Sequence, residues 1–210
     1  MRIIRKYLFS VSYRLFRFLV KHLVFIYQKI SNRDKDLESI VEFGDKNLTW
    51  INNNLGSLAF NFTIPKGLET ELFDLKFKSP LVAASFKSDE NLLDIWMKLG
   101  LGGSTYKTVM KSERSGNPRP RLQQIRLERE QCLVNALGLP GSGLNLFTKE
   151  LLASSLWAYN RPLGISIGGE NIDEYLSNFN EIEKTINGTV PDVYYYELNI
   201  SCPNTDTGSY

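Results

Sequence analysis

A chain of 210 residues with 42% hydrophobic and 23% charged content has enough apolar sequence for one folded domain and an appendage, which excludes a disordered protein. Its formal net charge of +2 is unevenly placed: residues 1–30 hold seven Lys and Arg and no acid, while the other 180 carry 18 basic and 23 acidic residues, a net of −5. An acidic body argues against a nucleic-acid partner. Two cysteines far apart, Cys132 and Cys202, and a lone His22 support neither a disulfide framework nor a metal site, and reduced thiols facing a cytosol are the default.

Residues 1–30 read as a helix. At about 100° per residue, Ile4, Leu8, Val11, Leu15, Phe18, Leu19 and Ile26 gather on one side, and Arg2, Lys6, Arg14, Arg17 and Lys21 fall mostly on the other. No uncharged apolar run approaches the ~18 residues that cross a bilayer. The pattern predicts a helix lying in an anionic membrane surface, which makes the protein peripheral, membrane-associated and cytoplasm-facing. A targeting segment and a core or partner-binding helix are the alternatives. Residues 31–67 read as a linker with one or two short helices, punctuated by Asn52-Asn53-Asn54, Leu55-Gly56 and Ile64-Pro65-Lys66-Gly67.

From Leu68 onward strands and helices alternate. Glu71–Phe77 has the texture of a hairpin strand, and Pro80–Ser85 that of a strand buried on both faces. Asn91–Leu99 has helical spacing and stops at Gly100. Ser104–Val109 predicts a second strand; Gly116–Arg121 and Val134–Gly141 read as loops. A helical stretch around Leu146–Trp157 leads to a strand at Pro162–Gly169, a helix at Ile172–Ile186 and a last strand at Tyr194–Ser201. That strand breaks into Asn199, Ser201, Cys202, Pro203 and Asn204: two carboxamides able to fix a planar polar ligand, and a thiol able to act as base or nucleophile. The plain alternative is a strand end with Pro-Asn turn chemistry and an inert packed cysteine.

Strands buried on both faces and separated by helices imply a parallel sheet. In each unit the polar residues cluster just past the strand: Ser85 and Lys87, Lys107 and Thr108, Ser166, then Asn199–Thr205. That edge is the chemical face of a (β/α) barrel. The competing doubly wound sheet lacks a GxGxxG after its first strand. The expected fold is therefore α/β, a TIM-type (β/α)8 barrel truncated after about four β/α units, with an N-terminal amphipathic helix.

Asn117-Pro-Arg-Pro-Arg121, Asn135-Ala-Leu-Gly-Leu-Pro140 and Glu197-Leu-Asn-Ile-Ser-Cys-Pro-Asn204, with Leu72–Phe77 and Pro80–Phe86 before them, resemble the dihydroorotate dehydrogenases, flavin-dependent (β/α)8 barrels of pyrimidine synthesis. The resemblance runs from about Leu68 to the last residue and makes residues 68–210 the N-terminal half of an FMN-binding barrel. It implies that Ser85, Lys107, Thr108 and Asn199 contact FMN. It implies that Lys107, Asn135, the backbone of Leu137, Gly138 and Leu139, and Asn199 and Asn204 hold dihydroorotate or orotate, and that Cys202 is the catalytic base.

Two branches of the family are mixed in these motifs. The cysteine and Leu-Gly-Leu-Pro resemble the soluble branch, which reduces fumarate or NAD. The N-terminal extension, Ala83-Ala84-Ser85-Phe86 and the Asn-Pro-Arg-Pro-Arg loop resemble the quinone-reducing branch, and the basic amphipathic arm favours quinone, a lipid-soluble acceptor that needs an entrance at the bilayer. Ser85 stands where that branch usually has glycine, and Leu137 where the soluble branch usually has methionine. Four strands of an expected eight lead to the expectation of a fragment or one product of a split gene, inactive by itself. The alternatives are a non-catalytic membrane-tethered remnant and a related flavin barrel acting on another reduced pyrimidine or an enone.

Overall fold

The computed structural model describes residues 2–200 and Cys202. In chain order the elements are α1 (Arg2–Ile30), α2 (Glu38–Ala59), β1 (Thr70–Leu72), β2 (Leu75–Phe77), β3 (Val82–Ala83), α3 (Glu90–Lys98), β4 (Gly103–Val109), β5 (Leu122–Leu127), β6 (Glu130–Asn135), α4 (Leu144–Leu152), a 3-10 turn (Ser155–Tyr159), β7 (Leu163–Ile167), α5 (Ile172–Ile186) and β8 (Tyr194–Leu198). They divide into two compact units, Met1–Lys46 with Asn117–Leu137, and Asn47–Gly116 with Gly138–Tyr210; the boundary falls within α2.

The first unit contains α1, the start of α2 and an antiparallel hairpin of β5 and β6 that pairs Leu122 with Asn135 and Leu127 with Glu130. The sequence reading placed loops at Gly116–Arg121 and Val134–Gly141 and no element between them, so the hairpin was missed. The hairpin strands are largely exposed, so no buried face imposes the alternation that announces a strand. Gln28 joins the two helices by donating to the Asp36 carbonyl at 2.9 Å and accepting from the Asp36 amide at 3.2 Å. Asp36 then caps α2, its carboxylate accepting from the Glu38 amide at 2.9 Å. Arg121 grips Glu38 with two parallel hydrogen bonds of 2.8 and 2.7 Å, and Arg119 adds ion pairs to Glu38 and Glu42. The Arg121 hydrogen bonds hold the Glu38 carboxyl below the usual carboxylate range, against the opposing effect of burial.

The second unit is built on a four-stranded, wholly parallel sheet in the order β3-β4-β7-β8. One face packs Leu163, Ile165 and Ile167 of β7 and Tyr106 of β4 against Phe147 and Leu151 of α4 and Ile182 and Ile186 of α5. At roughly 25 cal/mol per Å2 of apolar surface, full burial of each such side chain stabilises the unit by about 1.5–3 kcal/mol. Asp89 caps α3 and Asn171 caps α5, and α3 ends before Gly100, whose φ of +97° closes the helix at no steric cost.

Two expectations change here. The strand at Pro80–Ser85 shrinks to Val82–Ala83, half-exposed rather than buried on both faces. The linker at 31–67 is mostly one 22-residue helix, α2, which runs straight through Asn52-Asn53-Asn54 and Gly56. Tertiary contacts override those helix-weak residues. Asn52 is buried, donates to Asp94 at 2.6 Å and accepts from Lys98 at 2.8 Å. A Cβ on Gly56 would stand 2.8 Å from the Asn52 amide oxygen, so glycine is what lets this network sit against the helix.

Candidate active site

The other face of the parallel sheet curls inward. Four strands at ~4.8 Å spacing put β3 and β8 about 14 Å apart if flat, yet Ser85, just past β3, donates from its hydroxyl to the Glu197 carboxylate on β8 at 2.5 Å. Only strong barrel-like curvature brings those side chains together. Layers of side chains fill the inside. Phe77 lies lowest, with its ring centroid 6.4 Å from that of Tyr195. Above it Thr105 and Tyr195 join hydroxyls at 2.8 Å across Gly164, where a Cβ would come within 2.7 Å of both. Burial raises the Tyr195 phenol above its ordinary range, and Glu197 adds to that.

The next layer is polar and draws on all four strands. Between β4 and β7 the register passes from Tyr106–Ile165 to Val109–Ile167, so Lys107 and Thr108 together oppose Ser166. This β-bulge puts two consecutive side chains at one position on the rim. Thr108 is buried and shares a 2.9 Å hydrogen bond with Ser166, itself in register with Glu197. Asn199, just beyond β8, donates from its amide to Thr108 at 2.9 Å, while its backbone is tied to Ile167 and to the Tyr175 hydroxyl. Lys107 donates to the Pro140 carbonyl at 2.6 Å. That carbonyl belongs to a loop in which Gly138 and Leu139 have φ of +71° and +52°. Positive φ is costly for leucine, and such strain is held where the surrounding structure imposes it.

The structure thus brings Ser85, Thr108 and Asn199 into one polar cluster with Ser166 and Glu197, and ties Lys107 to the Gly138–Pro140 loop. Cys202 is half-buried three residues beyond Asn199. Asn135 closes β6 and Leu137 ends the first unit, so both belong to a different unit from that cluster. Asn204 lies outside the described residues. Glu197 and Ser166 are inward-facing members to which sequence reasoning gave no ligand role, although it placed Ser166 at the rim. Their signal was parity: Glu197 lies two residues before Asn199 on one strand, and so on the same face. Among the described residues, no group of three or more His, Cys, Asp or Glu could hold a metal ion.

Residues 67–210 match the family model described as "Dihydroorotate dehydrogenase". The chain belongs to the dihydroorotate dehydrogenase family. Among curated dihydroorotate dehydrogenases, a quinone enzyme of Rhodopseudomonas palustris is 30% identical over 140 residues, covering 66% of this chain and 36% of its own length. One from Gloeobacter violaceus is 31% identical over 155 residues, covering 70% and 40%. The catalytic subunit of an NAD-linked enzyme of Thermodesulfovibrio yellowstonii is 34% identical over 140 residues, covering 65% and 43%. The chain therefore spans less than half the length of these relatives. The crystal structure of the Eimeria tenella dihydroorotate dehydrogenase in complex with ferulenol superposes with a TM-score of 0.60 at 20% identity, over 79% of this chain and 44% of that one. The family's (β/α) barrel is the fold of which the curled parallel sheet is a part.

Proposed function

We propose that this chain provides the first half of an FMN-dependent dehydrogenase that oxidises (S)-dihydroorotate to orotate in pyrimidine synthesis. The observation that carries the reading is the convergence of Ser85, Thr108, Ser166, Glu197 and Asn199 on one rim of a curled parallel sheet, the edge where such folds do chemistry. Hydroxyls and a carboxamide held by one another form a donor set that suits the imide edge of a flat heterocycle, so the residues present fit FMN. When bound, FMN supplies the acceptor for the hydride leaving C6 of the substrate. The protein's own part is proton removal and charge. Cys202 takes the proton from C5, a contribution of about 10²–10⁴-fold. Lys107, fixed by Pro140, offers its ammonium to the substrate carboxylate, and Asn199 orients the ring by its carboxamide. Asn135 and Asn204 are the remaining substrate ligands in this reading, with the Leu137–Leu139 backbone beside them.

Quinone is the acceptor we infer, with NAD or fumarate as the alternative. The support is α1, where Leu15, Leu19, Leu23 and Ile26 are exposed on a helix whose only charges are basic. Among the described residues no helix is long and apolar enough to cross a membrane. A surface-lying α1 would hold the protein peripherally on the cytoplasmic side, where a quinone can reach it from the bilayer.

The test begins with the full-length gene product, purified and inspected for flavin absorbance. Anaerobic dihydroorotate should bleach that absorbance while dihydrouracil leaves it intact; a protein without flavin, or one bleached equally by both, sinks the reading. Cys202→Ala should keep the flavin and slow its reduction at least 100-fold. Reoxidation of the reduced protein by a short-chain quinone, and not by NAD, would identify the acceptor.

A further inference from the structure

Within the first unit two groups of cations contrast. Arg119 and Arg121 are answered by Asp36, Glu38 and Glu42. Lys21, Lys35 and Arg126 have no carboxylate at ion-pair distance among the described residues, and all three gather at one place. Lys35 and Arg126 line a cavity of about 370 Å3. Lys21 reaches its edge, donating to the side chain of Gln124, and both Lys21 and Lys35 stand 5.7 Å from the centre of the Phe25 ring. Phe25, Leu37 and Ile125 supply an apolar floor; Gln123 and Gln131 add amides with donors and acceptors. No acidic side chain lines the space.

Three un-neutralised cations around one hollow attract an anion, and guanidinium beside ammonium with amide support is the donor set that phosphate oxygens favour. The apolar floor and the amides leave room for a small body attached to that phosphate. Its source follows from the helix. Lys21 and Phe25 are half-buried on one side of α1, whereas Leu19, Leu23 and Ile26 are exposed on another. With the exposed stripe turned to a membrane, the cavity is directed away from it, towards water.

We propose that this cavity is a binding site for a water-soluble phosphate monoester of sugar-phosphate to nucleoside-monophosphate size. The site is independent of the dehydrogenase reading and depends on the membrane reading only for the choice of a soluble source over a lipid headgroup.

The experiment is calorimetric titration of the full-length chain with ribose 5-phosphate and adenosine 5′-monophosphate, with adenosine as the uncharged control and phosphatidylglycerol vesicles as the lipid arm. Saturable binding of the phosphate esters but not of adenosine is expected. The double variant Lys35→Gln/Arg126→Gln should weaken it at least tenfold. The charge-matched variant Lys29→Gln/Arg129→Gln, at exposed positions of the same unit outside the cavity lining, should stay within about twofold of the parent. All four positions are exposed, so folding is expected to survive, and an unchanged far-ultraviolet spectrum checks that. Absence of saturable binding, or equal loss in both double variants, overturns the site. Binding of vesicles alone, dependent on Lys35 and Arg126, overturns the soluble ligand in favour of a headgroup.

Discussion

The two units are held together by different physics. In the second, Leu93, Leu156, Leu163, Ile165, Ile167, Ile182 and Ile186 are wholly buried, and the polar rim is mounted on that core. In the first, the buried residues among those described are Gln28 and Asp36, and no large apolar side chain is fully buried. Charge-assisted hydrogen bonds from Arg119 and Arg121 take the place of a core. Apolar burial carries no titrating group, whereas ion pairs are screened by salt and titrate. The same chain therefore has a unit that fails when packing is lost and a unit that fails when charge is lost.

That contrast can be broken at several points. Ile165→Ala, in the centre of the sheet, should cost about 2–5 kcal/mol in urea unfolding; a loss under about 1 kcal/mol would mean that the core is not where the sheet places it. Arg121→Ala leaves Glu38 with Arg119 as its remaining partner and should cost about 1–3 kcal/mol, confined to the first unit by hydrogen exchange. Arg119→Gln, at a more exposed ion pair, should cost less than about 1 kcal/mol.

Titration separates the units further. The depressed carboxyl of Glu38 contributes stability that is complete above the unfolded carboxylate range near pH ~4.5 and is lost as pH falls through its lower folded value. The first unit should therefore lose exchange protection as pH falls below the ordinary carboxylate range, and Glu38→Gln should remove that dependence. The alkaline side belongs to the second unit. Burial pushes the Tyr106 phenol up to about 12, so its contribution is intact below pH ~10 and is lost as pH rises towards 12, on the order of 2 kcal/mol. Tyr106→Phe should reduce the alkaline loss, with Tyr195 still contributing in the same direction; unchanged lability would assign it elsewhere. A small effect is expected at the rim: Thr108→Val removes the shared partner of Ser166 and Asn199 and should cost about 1 kcal/mol.

Much of the second unit was legible because both its faces are constrained. The helix at Ile172–Ile186 and the strands at Ser104–Val109 and Pro162–Gly169 announce themselves by burial periodicity, and the structure places them within a residue or two of those bounds. Ser85, Thr108 and Asn199 were readable as rim residues because a strand that ends in polar side chains puts them at one edge. The bulge at Lys107–Thr108 was not readable, since it is a disagreement of register between two strands and no single segment carries it. The β5–β6 hairpin and the continuity of α2 were missed for related reasons: exposed strands lack alternation, and Asn52 and Gly56 are helical only because Asp94 and Lys98 receive them.

By itself the sequence determined the alternation of strand and helix, the basic arm, the acidic body and the motifs of the dihydroorotate dehydrogenase family, since each rests on local pattern and composition. Only the tertiary structure decided that Ser85 meets Glu197, that two side chains share one place opposite Ser166, and that one group of cations is paired while another surrounds an acid-free cavity. Those are relations between segments up to 112 residues apart along the chain. The curvature of the sheet and the packing of helices set them, and no window of sequence contains them.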